Sequence, residues 1–208
     1  MTVTDVVERP VEQRKRGASL EDAILEAAFD ELTEVGYATF TVEGVAARAR
    51  TGKASIYRRW PTKQELVLDA LQEHLPTPEA CGIQSVMPDD VTTADALRQI
   101  AQVISGILES PAGQAMRAIK CEAYSDPELA RLVDDRFQAP RRAAMIGLLQ
   151  RGIDRGEVRP DAATAMIADV LPAVLAHRIV LQREPVTKKT ITEIIEQVMI
   201  PLVSVREV

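Results

Sequence analysis

The sequence predicts an all-α chain of about nine helices, and three observations carry that reading. Hydrophobic residues make up 46% of the 208 residues while aromatic residues make up only 3%. The apolar material is mostly Ala, Leu, Val and Ile, side chains suited to packing helix on helix. Gly and Pro fall mainly where helices would end, so little or no sheet is expected.

Residues 1–18 are polar, end in Arg14-Lys15-Arg16 and read as a mobile arm; they hold no apolar run of the kind that marks a signal or an anchor. Ser19 then caps a first helix, with Asp22 at N3. Leu20, Ile24, Ala27, Ala28, Leu32 and Val35 recur at helical spacing, and Gly36 supplies a left-handed stop. Thr41 caps a second helix whose apolar face is Val42, Val45, Ala46 and Ala49. After a tight turn at Thr51-Gly52, a third helix begins near Lys53, with Ile56 and Trp60 inward and Lys53, Ser55, Arg58 and Arg59 outward. Pro61 closes it. Thr62 opens a fourth helix through a capping box with Glu65, and Leu66, Val67, Ala70 and Leu71 form its buried side.

Residues 19–75 thus form one compact unit, and 76–208 form a larger helical region entered through the Pro-rich and Gly-containing stretch Pro76–Asp90. Five longer helices are predicted there, at about 93–109, 112–124, 127–155, 161–182 and 188–204. Asp126 is a cap followed by Pro127 at the first helical position, and Pro140 and Pro172 predict a kink or break inside their helices.

The formal charge of the chain is -6, yet Gly44 to Lys63 carries six cations (Arg48, Arg50, Lys53, Arg58, Arg59, Lys63) and no Asp or Glu. An acidic chain repels phosphate except where a local basic surface faces it, so any polyanion contact is confined to this segment. A row of arginines on an arbitrary helix is ordinarily a solvated face. Here the cations are expected to lack carboxylate partners, whereas the first helix holds Glu21, Asp22, Glu26, Asp30, Glu31 and Glu34. Self-repulsion of that kind is relieved by a polyanion. Two short helices around a tight turn are also the layout that places a helix end in the DNA major groove. Lys53, Ala54 and Ser55 would meet base edges, and Tyr57, Arg58 and the amides near Thr41 and Lys63 would meet phosphate.

The segment FTVEGVAARARTGKASIYRRWPTKQELV resembles the DNA-binding region of the TetR (tetracycline repressor) family of bacterial regulators. Gly36-Tyr37, Thr41-Val42, Ile56-Tyr57, Trp60 and Lys63 carry the likeness, which covers residues 19 to about 74. It implies a three-helix core presenting the third helix to DNA, with Thr41 and Lys63 on phosphate and Thr51, Lys53, Ala54, Ser55, Tyr57 and Arg58 around the groove; the neighbouring cations Arg50 and Arg59 complete the candidate set. Two positions depart from the family pattern: Arg50 stands where glycine is frequent and Trp60 where phenylalanine is usual.

For the rest of the chain the resemblance implies a regulatory domain that dimerises through its last two long helices and binds a small molecule between the others. Residues Ala162–Ala176 are apolar all round except for Thr164, Asp169 and Pro172, which calls for cover on both sides. Ala165, Ala168, Leu171 and Leu175 from this helix, with Ile191, Ile194, Ile195, Val198 and Leu202 from the last, are the candidate dimer contacts; an ordinary core helix in a monomer gives the same pattern. Met116, Cys121, Tyr124, Phe137, Met145, Leu149, Met166 and His177 are candidate ligand contacts, because soft or partly polar side chains suit an adaptable pocket, although such residues more often simply pack.

No Gly-rich phosphate loop, HExxH, Cys-x-x-Cys or Ser/His/Asp set is present, so no catalysis, metal or cofactor is expected. Cys81 and Cys121 are read as unpaired thiols of a cytoplasmic protein, and no stretch reaches the ~20 apolar residues that span a bilayer. The expected protein is a homodimeric repressor that binds a palindromic operator in duplex DNA and is released by a small-molecule effector. The alternatives are an activator, a regulator without a ligand, and an all-helical enzyme or binding protein whose N-terminal unit contacts proteins.

Overall fold

A computed structural model describes residues 18–76 and 91–205. Most of the N-terminal arm, the body of the linker (77–90) and Cys81 lie outside the described residues. The chain forms α1 (Ala18–Thr39), α2 (Val42–Arg48), α3 (Lys53–Tyr57), α4 (Lys63–His74), α5 (Thr93–Glu109) and α6 (Pro111–Ala123). Three longer rods follow, each interrupted by a wide π-helical turn. They are α7 (Pro127–Val133, Asp134–Gln138, Ala139–Asp154), α8 (Ala165–Ala176, His177–Gln182) and α9 (Lys188–Ile194, Ile195–Met199, Ile200–Val203). No strand occurs among the described residues; one isolated bridge, Val158 to Ser204, ties the loop before α8 to the end of α9.

Local chemistry sets the helix starts. Thr41, Thr62, Thr92, Ser110, Asp126, Thr164 and Thr187 all sit in extended backbone with a side-chain oxygen accepting from the first turn. Such a cap contributes about 0.5–2 kcal/mol. Thr62 and Glu65 complete the predicted capping box. Gly36 ends the main run of α1 at φ 77 and ψ 168, positive in φ but more extended than a left-handed cap, and a short turn continues to Thr39.

Three expectations are corrected. The eighth helix begins at Ala165 rather than near 161, because the Thr164 hydroxyl accepts from Ile167 N and fixes the start there. Neither proline breaks its helix. Pro140 lies two residues past the wide turn Asp134–Gln138, in the first turn of the α-helical segment that follows, where its missing N–H and its ring are tolerated, and α8 runs continuously through Pro172. Pro201 repeats the device after Ile195–Met199. Finally, the rod Ala165–Gln182 is, by length and apolarity, enough to cross a membrane, and in this fold it packs on α5 and α7.

The apolar interior divides into two clusters, and the division does not follow the linker. The first joins α1–α4 to Ala112, Ala115, Met116 and Ile119 of α6 and to Leu129, Val133 and Phe137 of α7. The second joins α5, the later part of α7, α8 and α9. Six of the nine expected dimer contacts, Ala168, Leu171, Leu175, Ile191, Ile194 and Ile195, are buried in that second cluster, where they pack the subunit's own interior. Of the others Ala165 is exposed, while Val198 and Leu202 are half-buried. Further exposed apolar residues on α8 are Met166, which is 78% exposed, and Ala173, Val180 and Leu181, which line a cavity that Met166 lies outside.

Candidate nucleic-acid interface

The first element to fix is α2. Thr41 Oγ1 accepts from Gly44 N at 3.1 Å, and Val42, Val45 and Ala46 bury its inner face. Gly44 lets α2 press against α1: a Cβ there would come within 2.1 Å of Glu31 Oε1. Glu31, itself buried, accepts from Arg48 Nε at 2.7 Å, and Glu34 takes the same guanidinium's other end.

The turn that follows depends on Arg50, which sits at φ 50 in the left-handed region. That conformation explains why glycine is common at such a position, and it costs a β-carbon-bearing residue on the order of 1 kcal/mol. Thr51 N and Arg50 N donate back to Ala46 O and Ala47 O, closing the turn. Gly52, extended at φ -88 and ψ 144, then starts α3 without a side-chain cap.

Two side chains clamp α3 to the core: Ile56 is wholly buried and Trp60 nearly so. Trp60 Nε1 donates to Asp69 Oδ2 at 2.8 Å, and the other oxygen of Asp69 pairs with Arg136 in the wide turn of α7. This clamp leaves Lys53, Ala54, Tyr57 and Arg58 exposed, with Thr51 and Ser55 half-buried beside them. Lys53 and Tyr57 are one turn apart on the same face.

The expected absence of carboxylate partners does not hold. Arg48 is held by Glu31 and Glu34, Lys53 Nζ lies 2.6 Å from Glu43 Oε1, and Arg59 Nε lies 3.8 Å from Glu21 Oε2. The acidic face of α1 meets the basic segment in three dimensions, which sequence separation concealed. Arg59 also folds back to donate to Ser55 O and Oγ, so it turns along α3 rather than outward. Lys63 differs as well. Its ammonium donates to Tyr37 O at 2.6 Å and sits 4.3 Å from the centre of the Tyr37 ring, and burial holds its pKa below the ordinary lysine range. It fastens α4 to the end of α1.

Between the end of α4 and helices α5–α8 lies a cavity of about 620 Å³. Met116, Cys121, Met145 and His177 line it. The other four expected ligand contacts do not: Tyr124 is 95% exposed at the end of α6, Met166 faces outward, Phe137 packs in the first cluster and Leu149 in the second. Cationic residues that a search for soft side chains passed over, Arg117, Lys120, Arg141 and Arg142, are part of the wall.

Known proteins agree with this architecture. Residues 24–70 match the sequence family described as bacterial regulatory proteins, tetR family, and residues 87–198 match the tetracyclin repressor-like C-terminal domain. An HTH-type transcriptional regulator of Mycobacterium tuberculosis is 32% identical over 201 residues, covering 96% of this chain and 95% of that protein. A DNA-binding transcriptional repressor TetR of Mycobacteroides abscessus is 32% identical over 193 residues, covering 90% and 96%. Among solved structures, a transcriptional regulator from Saccharomonospora viridis in complex with choline superposes with a TM-score of 0.68 at 15% identity, covering 91% of this chain and all of that one. The chain belongs to the tetR family of bacterial regulatory proteins and is a transcriptional regulator with a helix-turn-helix DNA-binding unit.

Proposed function

We propose that the protein is a homodimeric repressor that reads a palindromic operator with α3 and leaves it when a small molecule fills the cavity. One observation carries the ligand response: α6 serves two masters. Ala112, Ala115, Met116 and Ile119 complete the core under α1 and α4, while Met116, Lys120 and Cys121 also line the cavity. A molecule that binds better to one setting of α6 biases the position of α1–α4 by the same free energy. In a symmetric dimer this resets the distance between two recognition helices that must reach major grooves one turn apart, about 34–36 Å. The wide turn of α7 offers a second link through Arg136, Asp69 and Trp60.

The volume lies within the roughly 300–1,000 Å³ range of small-molecule sites. The start of α8 supports self-association, since Ala165 and Met166 are exposed there, lie outside the cavity lining and form the kind of apolar surface a twofold-related copy covers.

Selection of bound fragments from a random DNA pool tests the reading. The expected product is a palindrome whose binding weakens about 10³–10⁵-fold between 50 and 200 mM salt, as ~6–10 phosphate contacts require. Recovery of no symmetric sequence, or binding without a salt slope, refutes it. Compounds that raise the melting temperature should then lower affinity for the selected fragment; if none does, the release mechanism is wrong.

A further inference from the structure

The charges around the cavity are unbalanced. Among the described residues its wall holds Arg117, Lys120, Arg141 and Arg142 against one carboxylate, Asp169. That carboxylate is already used: both its oxygens lie 3.1 Å from Arg142 Nε, and Asp134 neutralises the same guanidinium further. Arg117 donates to Leu108 O, and Arg141 is engaged within the chain, donating to Phe137 O and to Pro76 O. Lys120 has no hydrogen-bond or ion-pair partner among the described residues. Lys120 is exposed and lines the cavity, yet the surrounding protein is dense, so desolvation first and the charge of Arg141 second hold its pKa below the ordinary lysine range. An ammonium kept beside an apolar cavity and a like charge is costly until something pairs with it. The rest of the wall is mainly apolar, including Ile100 and Ile104 of α5 and Pro172 and Val180 of α8, with Gln138 and His177 among it.

We propose that the cavity takes an amphipathic anion, a carboxylate or phosphate headgroup bound by Lys120 and Arg141 with an apolar body along α5 and α8. This rests on the reading of the cavity as the effector site and gives the effector its chemical class. The headgroup supplies the charge-assisted hydrogen bonds that Lys120 lacks, and the body displaces water from the walls. A quaternary ammonium such as the choline held by the Saccharomonospora viridis protein would meet two cations here.

The test is calorimetric titration of the full chain with decanoate, decyl phosphate, decanol and choline, on the natural protein, Lys120→Met and Lys120→Arg. The expected result is that one or both anions bind roughly 10- to 100-fold more tightly than decanol, and choline not at all. Which anion binds better assigns the headgroup. Lys120→Met should lose the anion preference while keeping decanol, and Lys120→Arg should retain it; thermal melting checks that both variants fold. Equal binding of decanol and the anions, preference for choline, no anion binding, or an undiminished anion preference in Lys120→Met each overturns the assignment. Fluorescence anisotropy with the selected operator separates the two proposals. Anions that bind through Lys120 without changing operator affinity leave the site standing and refute release, whereas release by neutral or cationic compounds alone does the reverse.

Discussion

The Lys53 ammonium lies 2.6 Å from the Glu43 carboxylate, so the leading cation of the reading helix is held by the helix before it. The hydrogen bond lowers the pKa of Glu43 and raises that of Lys53. Any contact of Lys53 with a base or phosphate must displace Glu43 or work beside its negative charge. Glu43→Gln is expected to strengthen DNA binding a few-fold, by about three to ten times, and to leave the melting temperature unchanged, because exposed ion pairs contribute little to stability. Anisotropy titration at fixed salt measures it; weaker binding would mean that Glu43 positions Lys53 for DNA.

Arg50 combines an unfavourable backbone with a useful charge. Arg50→Gly removes the left-handed strain seen at φ 50 and should raise stability by about 1 kcal/mol. The same change deletes a cation beside α3 and should reduce the salt slope of DNA binding by about one phosphate contact. Denaturant unfolding and salt-dependent binding, measured on one variant, are expected to move in opposite directions.

Lys63→Ala is expected to destabilise the fold by about 1–3 kcal/mol, since it removes a charged hydrogen bond to a half-enclosed carbonyl. Loss of DNA affinity in this variant should track unfolding and be rescued at low temperature. Loss of affinity with unchanged denaturant stability would instead make Lys63 a phosphate contact alone.

Lys120 predicts a pH dependence. Its pKa is lower in the folded chain than in the unfolded one, so the unfolded state binds more protons between the two values. The penalty for desolvating its charge beside Arg141 is therefore full at neutral pH, is relieved as pH rises through the folded pKa, and is gone above the unfolded value of about 10.4. Without ligand, Lys120→Met should melt higher than the natural protein at pH 7, and the gap should close as pH climbs toward that value. A gap that widens with pH would contradict the desolvation of this ammonium.

Two substitutions on α8 separate core from outer face. Leu171→Ala, at a fully buried site, should cost about 2–5 kcal/mol. Met166→Glu, on the exposed side, should leave subunit stability near its starting value but halve the mass seen by light scattering and abolish operator binding. An unchanged mass would place the subunit contact elsewhere.

The parts legible in the sequence were those decided within a few residues. The Thr41 cap, the Thr62–Glu65 box, Asp126 before Pro127, and the inward pair Ile56 and Trp60 depend on local geometry, and each lies where its spacing put it. The first core of α1–α4 was readable for the same reason. What was hidden depends on which helix lies beside which. Arg48 finds Glu31 across 17 residues and Arg136 finds Asp69 across 67, and no local rule names such partners. An all-round apolar helix likewise does not declare its inner side, so Leu171 and Met166 look alike until neighbours are in place. Lys120 was missed because a lysine among helix charges reads as solvent-facing, and its exposure does not announce that it also lines a cavity.

Because Ile119, Leu129, Val133 and Phe137 complete the interior beneath α1–α4, the headpiece is not a detachable cartridge. A fragment severed at residue 76 would carry a raw apolar wound where α6 and the start of α7 belong. A chimera grafting this headpiece onto a foreign sensor must either transplant that seam with it or rebuild it side chain by side chain. In the function proposed above, specificity for DNA and responsiveness to ligand are thus inherited together, through one shared floor.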